Sequence, residues 1–286
     1  MGGMKSIKIA LAAVAALFAA AVQGGVSAPV VCEGSYPYHL QGVATDGESV
    51  YWTFTTVLVK TDWNGKVLAK SEIQNGHMGD LCCRNGKVFI GMNHGRRAGA
   101  RVGDEVWEYD AKTLELVKKH PTPEPPWCNN GIEWYGGCFW VVTSAPNLSD
   151  YNYLYVYTPD FRFRTCVLVK SGWTNLGVQT ICRKDDMIML GCYGSNGPEQ
   201  PHKACTVAID GRKLLAAAHI HEGKSSPVEI AWRKDVNTSE GLLVRDGEIW
   251  EAHSVLLSKK DGKRIWTAKM FKSPGLNGIE ARGDAK

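Results

Sequence analysis

The sequence has little net charge. Its 286 residues carry 33 Lys and Arg against 29 Asp and Glu, and no basic stripe runs along the chain. A domain that binds nucleic acid typically has a clustered basic face and a pI above about 9. The balance therefore argues against nucleic acid as a partner. We expect a monomer whose partner is a small molecule and not nucleic acid.

Several common catalytic and binding motifs are also missing. The chain has no G-x-S-x-G on a strand-to-helix turn, no phosphate loop and no dinucleotide fingerprint. The C-x-x-C spacing that would indicate a metal site is absent as well. After residue 30, no amphipathic pattern of three helical turns is present. These absences favour an all-β protein and argue against a serine hydrolase or a nucleotide-binding enzyme.

Only one long apolar run occurs, from Ile9 to Val22. Lys5 and Lys8 precede it, and small residues follow it at positions 24–28. A positive start, a short apolar segment and a small-residue cleavage zone are typical of a secretory signal peptide, and the run is too short to span a membrane. We predict a signal peptide at residues 1–24 and a single exported domain at residues 25–286, either periplasmic or extracellular.

Cysteine is present in an odd number. In an exported protein the usual state of cysteine is the disulfide, but a buried free thiol can also pack as a small hydrophobe. We predict one to three disulfides with the remaining thiols buried, and the spacing leaves their connectivity open. The nine cysteines are Cys32, Cys82, Cys83, Cys128, Cys138, Cys166, Cys182, Cys192 and Cys205.

A unit consisting of a tight turn and a β-branched or aromatic strand occurs five times. Asn-Gly and Asp-Gly turns join antiparallel strands with the correct twist. The five turns are Asp46-Gly47, Asn85-Gly86, Gly136-Gly137, Asp185-Asp186 and Asp246-Gly247. A second hairpin follows each unit, and the second turns centre near Asn64, Lys112, Asp160, Asp210 and Asp261, at intervals of 48 to 51 residues.

Two hairpins per period give four antiparallel strands, and the period is close to that of a propeller blade. We therefore predict an all-β β-propeller with five four-stranded blades, with two β-sandwich domains as the structural alternative. The blades are predicted at residues 39–75, 76–124, 127–170, 173–220 and 238–272. The C-terminal sequence LNGIE, at 276–280, repeats the start of blade 3. It either helps to close the ring with residues 30–36 or begins a sixth blade.

The segments HLQGVATDGESVYWTFTTVLVKTDWNGKVLAK, from His39, and HMGDLCCRNGKVFIGMNHG, from His77, resemble a group of exported bacterial propeller proteins. That group is related in style to the NHL, SMP-30 and glutaminyl-cyclotransferase propellers. The resemblance covers most of the predicted mature chain. It implies the fold much more than any chemistry, because the Gly-Val, Gly-Ile or Gly-Leu start of each blade is generic.

Function is expected on one face of the disc. The long connections, at 93–105, 144–152, 193–203 and 221–239, all emerge on the side where the first strand of each blade begins. Each first strand starts with a polar residue beside a glycine, so these side chains should converge in a pocket of about 10 Å radius. The predicted catalytic residues are His39, His77, Asp80, Glu133 and Glu240. The predicted ligand-binding residues are Gln41, Asn93, His94, Arg96, Arg101, Trp127, Asn130, Trp173, Asn175, Gln179, Tyr193 and His253.

Four functions fit this pattern, beside the structural interpretation that a polar channel only satisfies backbone groups and ordered water. The first is a saccharide hydrolase or lyase that uses paired axial carboxyl groups. The second is a non-catalytic propeller that binds a saccharide or a protein. The third is a lactonase-like hydrolase with calcium as cofactor, held by the carboxyl groups of Asp80, Glu133 and Glu240 with oxygen ligands from Asn130 and Asn175. The fourth, aminoacyl cyclisation, is suggested only by the resemblance.

Overall fold

Five four-stranded antiparallel blades form the body of the protein, which confirms the predicted all-β propeller. The computed structural model describes residues 28–97, 100–101, 103–145, 149–194, 203–219 and 226–277, with only the backbone described at 96–97 and 100–101. The predicted signal peptide lies outside the described residues. No helix within the described ranges has the length and apolarity that a membrane crossing requires.

The first three blades follow the predicted repeat closely. A short strand, β1 (Val30–Val31), precedes them. Blade 1 contains β2 (Leu40–Thr45), β3 (Val50–Phe54), β4 (Val57–Thr61) and β5 (Val67–Lys70). Blade 2 contains β6 (His77–Arg84), β7 (Lys87–Asn93), β10 (Glu105–Asp110) and β11 (Leu116–Pro121), with a two-stranded ribbon, β8 (Arg96–Arg97) and β9 (Ala100–Arg101), in its long connection. Blade 3 contains β12 (Asn129–Tyr135), β13 (Cys138–Thr143), β14 (Asn152–Tyr157) and β15 (Phe163–Lys170).

Blade 4 departs from the prediction. After β16 (Asn175–Lys184), β17 (Met187–Tyr193) and β18 (Cys205–Asp210), the chain forms a helix, α1 (Gly211–His219), where the sequence predicted a fourth strand. Leu and Ala are strong helix formers, and Leu214, Ala217 and Ala218 are buried on one face. The Asp210 carboxylate accepts a hydrogen bond from the Arg212 backbone N–H at 2.9 Å and caps the helix. The fourth strand comes later, as β20 (Trp232–Lys234), after β19 (Val228–Glu229) has paired with blade 3.

Blade 5 is completed by the start of the chain. The segment predicted for this blade forms only three strands, β21 (Leu242–Arg245), β22 (Glu248–Lys260) and β23 (Lys263–Lys272). The reason is that β22 continues through the point where a strand break was predicted. The fourth strand is β1, antiparallel to β23, with Val30 opposite Met270. Residues 30–31 therefore close the ring. Of the predicted LNGIE repeat, only Leu276 and Asn277 are described, and Asn277 hydrogen-bonds to both the N–H and the C=O of Ile249.

The five inner strands, β2, β6, β12, β16 and β21, surround the axis, and Asp80 on β6 lies at their centre. Asp80 is completely buried. Its Oδ2 accepts a hydrogen bond from the Ile181 backbone N–H on β16 at 2.8 Å. Gly42 on β2 and Gly131 on β12 pack directly against it. One side chain thus contacts the inner strands of three other blades.

All nine cysteines lie in the described residues, and none of them is joined in a disulfide. The one to three disulfides expected from the sequence are not formed in this structure. Five are buried in strands and one is buried beside them in the closing segment, where a thiol packs as a small hydrophobe. The buried cysteines therefore contribute to the packed layers between the blades.

The close approach at the axis predicts that Gly42→Ala is strongly destabilising. A Cβ at this position would overlap the Cα and the Oδ1 of Asp80, and the backbone atom cannot rotate away. We expect a loss of about 1 to 3 kcal/mol or more in the free energy of unfolding, measured by urea denaturation. Gly103→Ala is the control, because a Cβ there meets no atom within 4 Å. Equal stability of the two variants would contradict the packing described.

Candidate functional site

Five of the predicted site residues come together at the mouth of the axial channel. His39 precedes β2, His77 begins β6, Glu240 precedes β21 and Tyr193 ends β17, so all lie on the face where the inner strands begin. The charge of Glu240 acts on both His39 and Tyr193, and His39 acts on His77. Gln41 belongs to the same group through its contact with His39. We call these five residues the mouth cluster.

Hydrogen bonds orient one imidazole of the cluster. The Gln41 side-chain nitrogen lies 2.8 Å from His39 Nε2 and 3.3 Å from Thr55 Oγ1. Because an amide nitrogen can only donate, His39 Nε2 is the acceptor in this contact. Thr55 was not predicted from the sequence, where it stands in an ordinary turn between two strands.

Glu240 is held by a second residue that the sequence did not reveal, Ser254 on β22. The Ser254 backbone N–H donates to Glu240 Oε2 at 2.8 Å, and its hydroxyl donates to Oε1 at 3.0 Å. The same hydroxyl accepts a hydrogen bond from the Leu40 backbone N–H at 3.0 Å. The carboxyl group is thus fixed between the inner strands of blades 5 and 1. A serine inside a strand carries no sequence signal for this role.

Burial sets the protonation states around Glu240. It lowers the pKa of His39, although the Glu240 charge acts in the opposite direction. Burial also lowers the pKa of His77, and nearby His39 adds to that effect. For Tyr193, burial and then the Glu240 charge raise the pKa to about 12. Near pH 7 the cluster therefore presents two neutral imidazoles and a protonated phenol beside the carboxyl group of Glu240.

Asp80 lies deeper and serves the fold. It is three residues beyond His77 along β6, a distance of about 10 Å. Burial raises the pKa of Asp80 well above its usual value, while the backbone N–H groups of Ile181, Leu81 and Val43 oppose the rise. Asn130 on β12 has a similar structural role, because its side-chain nitrogen donates to Val178 O at 2.8 Å and ties blade 3 to blade 4.

Glu133 lies toward the opposite end of the channel. It is four residues beyond Asn129 on β12, and its carboxyl oxygens accept hydrogen bonds from the backbone N–H groups of Trp134, at 2.7 Å, and Arg183, at 3.2 Å. Burial raises the pKa of Glu133 to about 7. The guanidinium of Arg84 stacks 3.5 Å above the Trp134 ring at this end. The three predicted axial carboxyl groups thus occupy three depths instead of one pocket.

On blade 2, the predicted residues form a separate group. His94 Nε2 lies 3.0 Å from Glu105 Oε2, and the Asn93 side chain accepts a hydrogen bond from a backbone N–H two residues further on. Arg96 and Arg101 are opposite each other in the β8–β9 ribbon, where only their backbone is described.

The remaining predicted residues bond locally. The Asn175 and Gln179 side chains donate to the backbone oxygens of Gly194 and Leu176. His253 faces away from Ser254 on β22, stacks on Phe271 and lies 3.5 Å from Glu251. Trp127 and Trp173 are half-buried at the starts of blades 3 and 4.

The calcium alternative depends on a shared set of ligands. Within the described ranges, no group of three His, Cys, Asp or Glu side chains is placed to hold a metal ion. Asp80, Glu133 and Glu240 do not converge, and each has backbone or serine donors on its oxygens. The residues present therefore do not fit the predicted calcium site, because a cation needs converging acceptors.

Comparison with known proteins supports the fold. The sequence matches no protein-family model and no curated protein, so no sequence family supports the NHL or SMP-30 part of the resemblance. The structure is similar to Myxococcus xanthus glutaminyl cyclase, with 12% identity, a TM-score of 0.51 and coverage of 86% of this chain and 98% of that one. It is also similar to the GH43 protein BlXynB from Bacillus licheniformis (12% identity, TM-score 0.53, 87% and 58% coverage) and to the Bacteroides ovatus xyloglucan-locus protein GH43B (12%, 0.51, 85% and 52%).

These likenesses show a propeller fold and nothing finer at this level of identity. The chain spans a little more than half the length of the two GH43 proteins.

The raised pKa of Glu133 predicts a pH-dependent difference in stability between the wild type and Glu133→Gln. In the folded state the group keeps its proton up to about pH 7, whereas in the unfolded chain it loses it near 4.5. The wild type therefore loses stability as pH rises from 4.5 to 7, and glutamine does not titrate. We expect the variant to gain about 1 to 3 kcal/mol relative to the wild type across this range.

The measurement is urea unfolding at several pH values between 4.5 and 8, with the exposed substitution Glu48→Gln as control. A difference between wild type and Glu133→Gln that stays constant with pH would show that Glu133 is not buried as described.

Proposed function

We propose that this protein is an enzyme that performs acid–base chemistry on a saccharide or a related small polar substrate, bound at the mouth of the axial channel. The observation that carries the proposal is the mouth cluster, in which Glu240, fixed by Ser254, acts electrostatically on His39 and Tyr193, and His39 acts on His77, with the pKa values of both imidazoles lowered. Titratable groups with perturbed pKa values in a concave polar site are typical of catalytic centres.

Each member of the cluster has a chemical role that its environment favours. A neutral imidazole of His39 or His77 is a suitable general base near pH 7. Tyr193 holds its proton and can donate it to a leaving oxygen. Glu240, held by Ser254, can position the substrate hydroxyls, and its charge acts on His39. Gln41 fixes the orientation of His39.

The arrangement favours a lyase over a two-carboxyl hydrolase. Hydrolysis by paired carboxyl groups requires a separation of about 5 to 9.5 Å around one bond. Asp80 is enclosed among the inner strands and Glu133 lies toward the far end, so neither shares the mouth with Glu240. A lyase needs one base and one acid, which the imidazoles and the phenol provide.

A non-catalytic saccharide-binding propeller is the second candidate. This candidate is favoured because several predicted channel residues, Asn130 and Asn175 among them, use their side chains in hydrogen bonds within the protein. Such a protein would use the half-buried Trp127 and Trp173 to stack on sugar rings.

The test is a panel of neutral and uronate-containing oligosaccharides. Release of reducing ends reports hydrolysis, and ultraviolet absorbance of an unsaturated product reports elimination. We expect Glu240→Gln to lower the turnover of an active substrate by about 10²-fold to 10⁴-fold without loss of folding, because one positioned acid–base group is removed.

Glu108→Gln is the matched control, since Glu108 also pairs with a histidine, His120, at 2.9 Å but lies in the outer half of blade 2. Full turnover by Glu240→Gln would contradict the assignment of the cluster. Saccharide binding by calorimetry without turnover of any substrate would favour the binding protein.

A further inference from the structure

Two of the nine cysteines face each other across neighbouring strands of blade 4. Cys192 is the next-to-last residue of β17 and Cys205 is the first residue of β18, and the register places them directly opposite each other. Both are completely buried, and their thiols are hydrogen-bonded to each other. No other pair of cysteines is opposed in the register of the described strands.

This placement meets the geometric requirement of a disulfide. Directly opposed residues of an antiparallel pair have Cα atoms about 4.5 or 5.5 Å apart. A disulfide spans Cα distances of about 4.4 to 6.8 Å. The two residues can therefore be bridged by side-chain rotation, without movement of either strand.

We propose that Cys192 and Cys205 are joined by a cross-strand disulfide, formed by exchange with a small disulfide oxidant while β17 and β18 pair during folding. The bridge would close the connection from 193 to 204, whose first residue is Tyr193 of the mouth cluster. It would fix the strand end that carries this phenol. The proposal does not depend on the function proposed above.

The chemistry proceeds in two exchanges. The Cys205 thiol loses its proton, and the thiolate attacks one sulfur of the oxidant to form a mixed disulfide with release of one thiolate. The Cys192 thiol then loses its proton and attacks the Cys205 sulfur, which releases the second thiolate. In total, two electrons and two protons pass from the cysteines to the oxidant, which leaves as two thiols.

The surroundings favour Cys205 as the first nucleophile. The hydrogen bond from the Cys192 thiol lowers the pKa of Cys205, and the charge of Arg233 acts in the same direction against the effect of burial. A thiol with a lowered pKa has a larger fraction of reactive thiolate near pH 7. Cys192, which donates that hydrogen bond, is then in position to resolve the mixed disulfide.

The direct test is disulfide mapping of the full chain. The denatured protein is refolded with oxidised and reduced glutathione, its free thiols are blocked with iodoacetamide under denaturing conditions, and non-reduced peptides are analysed by mass spectrometry. We expect one linked pair, Cys192 with Cys205, and alkylation of the other seven cysteines. Nine alkylated cysteines, or a different linked pair, would overturn the proposal.

Thermal unfolding supplies a second test. Reductant should lower the Tm of the oxidised wild type by about 5 to 10 °C, because the closed loop no longer restricts the unfolded chain. Cys205→Ser should show no response to reductant, whereas the control Cys166→Ser, a half-buried cysteine on β15, should respond as the wild type does. If Cys205→Ser does not fold, mapping of the wild type still decides the outcome. A wild-type Tm that is insensitive to reductant would count against the bridge.

Discussion

The buried carboxyl group of Asp80 is the constraint on which the centre of the propeller depends. It extends from blade 2, hydrogen-bonds to the backbone of Ile181 in blade 4 and packs against the glycines of blades 1 and 3, Gly42 and Gly131. A carboxyl group enclosed in this way favours its protonated form, which is why its pKa is raised. A larger residue at either glycine would separate the inner strands. Asp80 and the two glycines therefore fill the axis at this depth.

The mouth cluster follows from that arrangement. Because Asp80 holds the inner strands close together, the residues that begin these strands, such as His39 and His77, lie within electrostatic range of each other. Ser254 then joins Glu240 to the backbone of Leu40 and so couples blade 5 to blade 1. Ring closure by β1 acts on the same pair of blades from the outside. The proposed acid–base groups are thus carried by rigid strand ends, which suits a preorganised site.

The sequence predicted the number of blades because turn chemistry is local, and each of the five tight turns is readable without knowledge of the rest of the fold. It failed at Gly211–His219, where helix propensity outweighed the repeat, and in blade 5, where one long strand replaced two. The sequence also could not show how deep along the propeller axis each carboxyl group lies. A carboxyl group beside a glycine looks the same at the mouth, as in Glu240, and at the axis, as in Asp80. Ser254 and Thr55 were missed because their roles arise only from contacts between distant segments.

The central claim is that His39, His77 and Glu240 form one coupled acid–base group. It is tested most directly by NMR titration of the imidazole resonances in the wild type and in Glu240→Gln. The account predicts that both histidines titrate below about 6.5 in the wild type, and that the pKa of His39 falls further in the variant because the charge that raised it is gone. His120, paired with Glu108, should not change. A His39 that titrates near 6.5 and does not respond to the substitution would contradict the account.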